Sequence, residues 1–252
     1  MTLITSPQNP RLKALKRLAT RRERERSGRF LAEGEDLVLA AERAGCKALE
    51  GFRLSGSALG ASDFHDVELD ALRSVSTLGS GTRVIGVYEQ RWSEPVGPLC
   101  LYLHGVGDPG NVGTIVRSAQ AFGASCVALG PGCADPHSPK AVRASMGAIF
   151  SVALARVRDV AELPGERVAL LAGAPEVLRG PESARGGAAT APLTLLVGAE
   201  RDGLPPQLVA ACERSARIPI ASESLNAAMA ATVALYEVTR DGALASSRVR
   251  TS

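Results

Sequence analysis

A glycine-rich turn, Gly105-Val106-Gly107-Asp108-Pro109-Gly110, ends the apolar run LCLYLHGV and has the GxGxxG form that lets backbone approach a phosphate. A dinucleotide-binding unit also needs a carboxylate at the end of the next strand to hold a ribose, and the run CVALG leads instead into Pro131-Gly132. Pro109 in the tight turn also disfavours the dehydrogenase chemistry that the glycines suggest. A second candidate is Glu200, just past the apolar run LTLLVG, where a strand-end carboxylate can fix an arginine or an amide by charge-assisted hydrogen bonding. Ser224 is a candidate cap of a last helix, which leaves Asn226 to orient substrate or cofactor. Metal chemistry has little to draw on. The five cysteines, Cys46, Cys100, Cys126, Cys133 and Cys212, form no CxxC pair, and the three histidines, His65, His104 and His137, do not stand at ligand spacing.

The elements that must position these residues fall into two groups. Ser6 to Thr20 reads as a helix capped by Ser6 or Asn9, with Pro10 early and Leu12, Leu15 and Leu18 on one face. A second helix is expected from Glu33 to Ala44, with Leu37, Val38 and Ala41 inward and Gly45 ending it. Strand-like runs follow at Gly51 to Leu54, Val67 to Leu69 and Arg83 to Tyr88, and Glu94-Pro95-Val96-Gly97-Pro98 marks a linker. From Leu99 the pattern alternates strands with helices: LCLYLHGV, a helix from Asn111, CVALG, a helix near Ala141, VALLAG, LTLLVG and a helix from Ser224. Short apolar strands ending in glycine and joined by helices indicate a parallel sheet covered on both faces, with its ligand beyond the carboxyl ends of the strands. Gly173 to Pro192 reads as a flexible connection. The fold class is therefore α/β, with a smaller N-terminal α/β domain over 1–92 and a parallel-sheet domain over 98–252.

The net charge of +3 is unevenly spread. Arg11, Lys13, Lys16, Arg17, Arg21, Arg22, Arg24, Arg26 and Arg29 face only Glu23 and Glu25, which fits either a phosphate-backbone contact or a solvated helix face. Apolar residues at 45% and charged ones at 22% suit a globular protein with a core. No run approaches the length of a membrane span, and the polar, basic start has no secretion-signal core, so the expected location is the cytoplasm.

Three segments carry a more specific signal. DPGNVGTIVRSAQAFG, from Asp108 to Gly123, holds Asn111, Gly113 and Arg117; LLVGAERDGLP, from Leu195 to Pro205, holds Gly198, Glu200 and Gly203; and Ile218 to Glu237 holds Pro219, Ser224, Leu225 and Asn226. In this order they resemble the three signature motifs of the SpoU (TrmH-like) branch of the SPOUT RNA 2′-O-methyltransferases. The segment Lys140 to Gly147 resembles one that the family uses toward substrate, and Phe30-Leu31-Ala32-Glu33-Gly34 looks like part of its RNA-binding module, similar to ribosomal protein L30e.

The resemblance implies a deep trefoil knot in the C-terminal domain and a homodimer with its site near the subunit interface. It also implies S-adenosylmethionine held at Gly198, Ile218 and Leu225, without a metal. Asn111, Arg117, Glu200, Ser224 and Asn226 would be the catalytic set, and Arg143 and Ser145 would contact RNA phosphates. A guanidinium gives up its proton far less readily than other side chains, so Arg117 suits stabilising a developing alkoxide or holding a phosphate better than acting as a free base. The 3′-phosphate, or a transiently deprotonated arginine, would then accept the proton. Ribosomal RNA is favoured over transfer RNA as substrate, by analogy with the two-domain layout. The loop Ile220-Ala221-Ser222-Glu223 is shorter than the family's usual one and lacks its glycine. The alternative reading is an RNA-binding protein that keeps the knotted fold without turnover, and cofactor binding separates the two.

Overall fold

The computed structural model describes residues 3–77, 81–180 and 191–240, so the central part of the connection from Gly173 to Pro192 lies outside the described residues. The chain divides into two compact units, Met1–Gln90 with Asp135–Ser151, and Arg91–Ala134 with Val152–Ser252.

In the first unit, α1 (Pro10–Leu18) starts at Asn9, whose side chain accepts from the Arg11 N–H at 2.9 Å, and buries Leu12, Leu15 and Leu18 as their spacing requires. Next comes α2 (Arg21–Ser27), a helix without an apolar stripe, capped by Thr20. Its anchor is Arg24, which donates to the carbonyls of Leu18 and Ala19 at 2.9 and 2.8 Å and pairs with Asp135 at 2.7 Å. Arg24 therefore belongs to the interior. By contrast, Lys13, Lys16, Arg17, Arg22 and Arg29 are exposed and form no ion pair with a described residue.

Strand β1 (Arg29–Glu33), α3 (Glu35–Arg43), β2 (Glu50–Leu54), β3 (His65–Val67), α4 (Leu69–Arg73) and β4 (Val84–Glu89) complete residues 1–90. The sheet runs β1-β4-β2-β3, antiparallel except for the β2/β3 pair. Two expected boundaries move. Glu33 ends β1 instead of opening α3, because its carboxylate accepts from the Thr77 N–H at 2.9 Å and from the hydroxyls of Ser76, Thr77 and Thr82. Leu69, expected at a strand end, opens α4. Leu12, Leu15, Leu31, Phe52, Leu72 and Ile85 form the core beneath this sheet.

The second unit begins with β5 (Leu99–Leu103), α5 (Pro109–Ala121) and β6 (Cys126–Leu129). Residues 135–151 then pack with the first unit, through α6 (Pro139–Ala144) and a 3-10 turn at Ala148–Phe150. An aromatic cluster holds them there: the Phe30 ring lies 4.8 Å from His137 and 5.8 Å from Phe150, and Tyr88 meets Phe150 edge-on at 4.8 Å.

The chain continues through β7 (Ala153–Arg156), β8 (Glu166–Leu170), β9 (Glu176–Val177), β10 (Leu193–Val197), α7 (Pro206–Ala210), β11 (Arg214–Arg217) and α8 (Ala227–Thr239). Seven strands form a parallel sheet in the order β7-β6-β5-β10-β8-β11-β9. Every residue of β5 and β10 is buried, which explains their unbroken apolar runs. Helices α5 and α8 pack together, with Ser118 and Thr232 hydroxyls 2.7 Å apart and Phe122 edge-on to Tyr236. No described helix is long and apolar enough to cross a membrane.

Candidate active site

The site is built where three strand-end or helix-start segments of the second unit converge. The first is the start of α5. Asp108 caps it, accepting from the Asn111 N–H at 3.0 Å, and Pro109 fills the first helical position. The GxGxxG turn is therefore the entry to a capped helix, and it fixes Asn111 in the first turn. The second segment leaves β10. A Cβ on Gly198 would stand 2.3 Å from the carbonyl carbon of Gly203, so only glycine fits. Ala199 and Gly203 bridge across the loop, the Gly203 N–H donating to the Ala199 carbonyl at 3.0 Å with Gly203 at φ +64°. This fold-back carries Glu200 at its turn.

The third segment is the start of α8, and here the expectation for Ser224 is corrected. The helix starts at Ala227, and its cap is Asn226, whose Oδ1 accepts from the N–H groups of Ala228 and Met229 at 2.9 and 3.3 Å. Ser224 is exposed and too far up the chain to cap it. The other half of the Asn226 amide faces the site: Nδ2 donates to Asn111 Oδ1 at 3.1 Å and to Glu200 Oε1 at 3.3 Å. Asn111 Nδ2 also donates to Glu200 Oε1. Asn111, Glu200 and Asn226 thus form a closed ring of hydrogen bonds among three segments. Glu200 bonds the amides; no bond joins it to Arg117.

Beside this ring lies a cavity of about 280 Å³. Gly198, Ile218, Ser224 and Leu225 line it, as does Glu200, and Ile220 of the shortened loop completes one wall. Leu170 and Leu171, at the end of β8, also line it and were not singled out from the sequence. The signal was available, since the run VALLAG ends where a parallel sheet offers its ligand rim. The walls combine apolar side chains with backbone at Gly198 and a carboxylate at one end. Such a mixture fits a nucleoside carrying a charged tail.

Arg117 stands apart from the cavity. Six residues after Asn111 on α5, it is displaced by about 9 Å along the axis and about 120° around it, and it is exposed without a hydrogen bond or ion pair to any described residue. Arg143 is exposed on α6, in the first unit. Ser145, expected to contact RNA phosphate, is corrected: it is 1% exposed and its hydroxyl donates to the Val142 carbonyl at 2.7 Å, which closes the turn after α6. Among the described residues no His, Cys, Asp and Glu group could hold a metal ion.

Known proteins match this layout. Residues 98–236 fit the family model described as SpoU rRNA methylase, and residues 9–62 fit one described as an MRM3-like substrate binding domain. The 23S rRNA (uridine(2479)-2′-O)-methyltransferase of Streptomyces viridochromogenes is 39% identical over 52% of this chain and 49% of its own length, so the match spans about half of that relative. The 23S rRNA (guanosine(2553)-2′-O)-methyltransferase RlmP of Bacillus subtilis is 29% identical over 94% of this chain and 99% of its own. Among solved structures, the AdoMet-bound rRNA methyltransferase of Sinorhizobium meliloti superposes with a TM-score of 0.79 at 30% identity, covering 95% of this chain and 97% of the other. Because its family model spans more than half of the residues, the chain belongs to the SpoU rRNA methylase family.

Proposed function

We propose that this protein transfers a methyl group from S-adenosylmethionine to a ribose 2′-hydroxyl of ribosomal RNA. The observation that carries the reading is the ring of Asn111, Glu200 and Asn226 beside the cavity lined by Gly198, Ile218 and Leu225. S-adenosylmethionine in that cavity supplies an electrophilic methyl group. The protein's task is to hold the oxygen in line and to favour its negative charge. The ring keeps Asn111 and Asn226 in fixed rotamers, and Glu200 takes the amide hydrogens that would otherwise turn to solvent. Arg117 holds the RNA phosphate or the developing alkoxide through its guanidinium N–H donors. Its position away from the cavity is met by a homodimer in which one protomer's Arg117 serves the partner's pocket. The exposed apolar side chains of Met229, Val233 and Tyr236, at helical spacing on α8, support such a subunit contact.

The finer architecture follows the same reading. Residues 1–92 form an L30e-like RNA-capture module, supported by the exposed cations of α1 and α2, and residues 98–252 form the methyltransferase domain. The segment 218–226 returns to the loop after β10 and seats α8 against α5, which supports a trefoil knot in that domain. The rRNA methyltransferases among the relatives and the cytoplasmic location of ribosomes favour an rRNA substrate and a cytoplasmic protein.

The test is calorimetry with S-adenosylmethionine, followed by transfer of labelled methyl to 23S rRNA transcripts by the wild type and Arg117→Ala. Binding in both proteins with transfer only in the wild type is expected. A null titration at millimolar cofactor would favour an RNA-binding protein without turnover, and full transfer by Arg117→Ala would remove that residue from the mechanism.

A further inference from the structure

Away from the ring and cavity, a flat cation and an aromatic ring are stacked beside the edge strand β7. The Arg156 guanidinium lies 4.0 Å from the ring centroid of Trp92, the chain's single tryptophan. Backbone fixes the pair: the Ser93 N–H donates to the Leu154 carbonyl at 2.8 Å, and Ser93 bridges to Ala155, so residues next to Trp92 run along β7. Arg156 is exposed and forms no ion pair with a described residue, so the indole face holds its plane. The acids nearest in sequence are engaged with backbone: Glu162 accepts from the Asp159 N–H at 2.9 Å and Asp159 from the Ala161 N–H at 2.9 Å.

The sheet register places this stack. Arg156 pairs with Leu129, Leu129 with Leu103, and Leu103 with Val197, so Arg156 stands level with the strand end that leads to Gly198. Three strand spacings of roughly 4.8 Å put it about 14 Å along the ligand rim. RNA held with its 2′-oxygen at the ring would carry a neighbouring nucleotide over this point.

We propose that Arg156, held flat by Trp92, is a stacking site for a nucleobase flanking the methylated nucleotide, with the guanidinium N–H edge available to the adjoining phosphate. The proposal rests on the RNA methyltransferase reading. Unpaired RNA bases stack on guanidinium planes as well as on aromatic rings, and a plane is sequence-tolerant because every base has a π-face.

The single tryptophan supplies its own reporter. Emission of Trp92 is followed while a 23S rRNA fragment is titrated, with filter binding of the same RNA in parallel, for the wild type, Arg156→Ala and Arg156→Lys. Saturable change of emission at the midpoint of filter binding is expected, with both variants binding about 10-fold more weakly, the scale of removing one base stack. Cofactor affinity should be unchanged. RNA retained on filters without change in emission, or Arg156→Ala binding as tightly as the wild type, would overturn the stacking site. Arg156→Lys matching the wild type would also overturn it, since a point charge would then suffice. Absence of RNA retention by the wild type would instead defeat the RNA reading itself.

Discussion

The side-chain nitrogen of Asn226 donates to the side-chain oxygen of Asn111 at 3.1 Å, across 115 positions of sequence, while the Asn226 oxygen caps α8. The two ends of one amide thus have separable tasks, stability for the oxygen and site geometry for the nitrogen. Asn226→Ser keeps a capping oxygen and loses the donor. It should stay within about 0.5 kcal/mol of wild-type stability, while methyl transfer falls by about 100-fold, the scale of a misplaced reacting group. Asn226→Ala should in addition lose about 1 kcal/mol of stability. Denaturant melts and single-turnover methylation of 23S rRNA fragments check both, and full turnover by Asn226→Ser would show the ring to be only structural.

Gly198 offers a test of the cavity. A methyl group there meets the Gly203 backbone at 2.3 Å, and backbone cannot swing aside as a flexible side chain can. Gly198→Ala should therefore push the loop carrying Glu200 and weaken S-adenosylmethionine binding by at least about 10-fold, equivalent to about 1.4 kcal/mol. Calorimetry reads it directly, and wild-type affinity in this variant would mean that the cofactor lies elsewhere.

The sequence made some of this legible and hid the rest for physical reasons. Leu12, Leu15 and Leu18 declared their helix because burial on one face imposes the spacing. The apolar runs of β5 and β10 declared a parallel sheet because both faces are covered. Asn111, Glu200 and Asn226 came together only through motif resemblance, since no local rule links residues so far apart. Arg24 looked like any other member of a charged run; its burial is set by Asp135, 111 positions away. Ser224 and Asn226 are equally good caps by residue type. What decides between them is where the chain after β11 can begin turning, and that is a property of the assembled site.

Glu33 sets a pH dependence. Burial alone would raise its pKa, but hydrogen bonds from Ser76, Thr77 and Thr82 outweigh burial and hold it below the ordinary carboxylate value. A depressed folded-state pKa gives stability that is complete above the unfolded value of about 4.3 and is lost as pH falls below it. Glu33→Gln should therefore be less stable than the wild type at neutral pH and should show a shallower loss of stability on acidification below about pH 5. Chemical denaturation across that range measures it. Parallel pH profiles for the two proteins would mean that Glu33 titrates as in the unfolded chain.

Arg24 and Asp135 form a buried pair, with side chains 4% and 9% exposed, whereas Arg21 and Glu25 on the same helix form an exposed one at 62% and 44%. The interior pair draws further support from the Leu18 and Ala19 carbonyls, so removing the carboxylate strands a guanidinium that cannot reach water. Asp135→Ala should lower the stability of the first unit by about 3 to 5 kcal/mol, and Glu25→Ala by less than about 1 kcal/mol. The difference also separates structure from RNA capture within one charged run. Exposed Lys13, Lys16 and Arg22 have no such partner, so replacing them with alanine should leave the denaturation midpoint in place while reducing the salt slope of RNA binding by about one for each phosphate that is no longer neutralised. A midpoint shift in the lysine variants as large as that of Asp135→Ala would place those side chains in the fold and not at the RNA backbone.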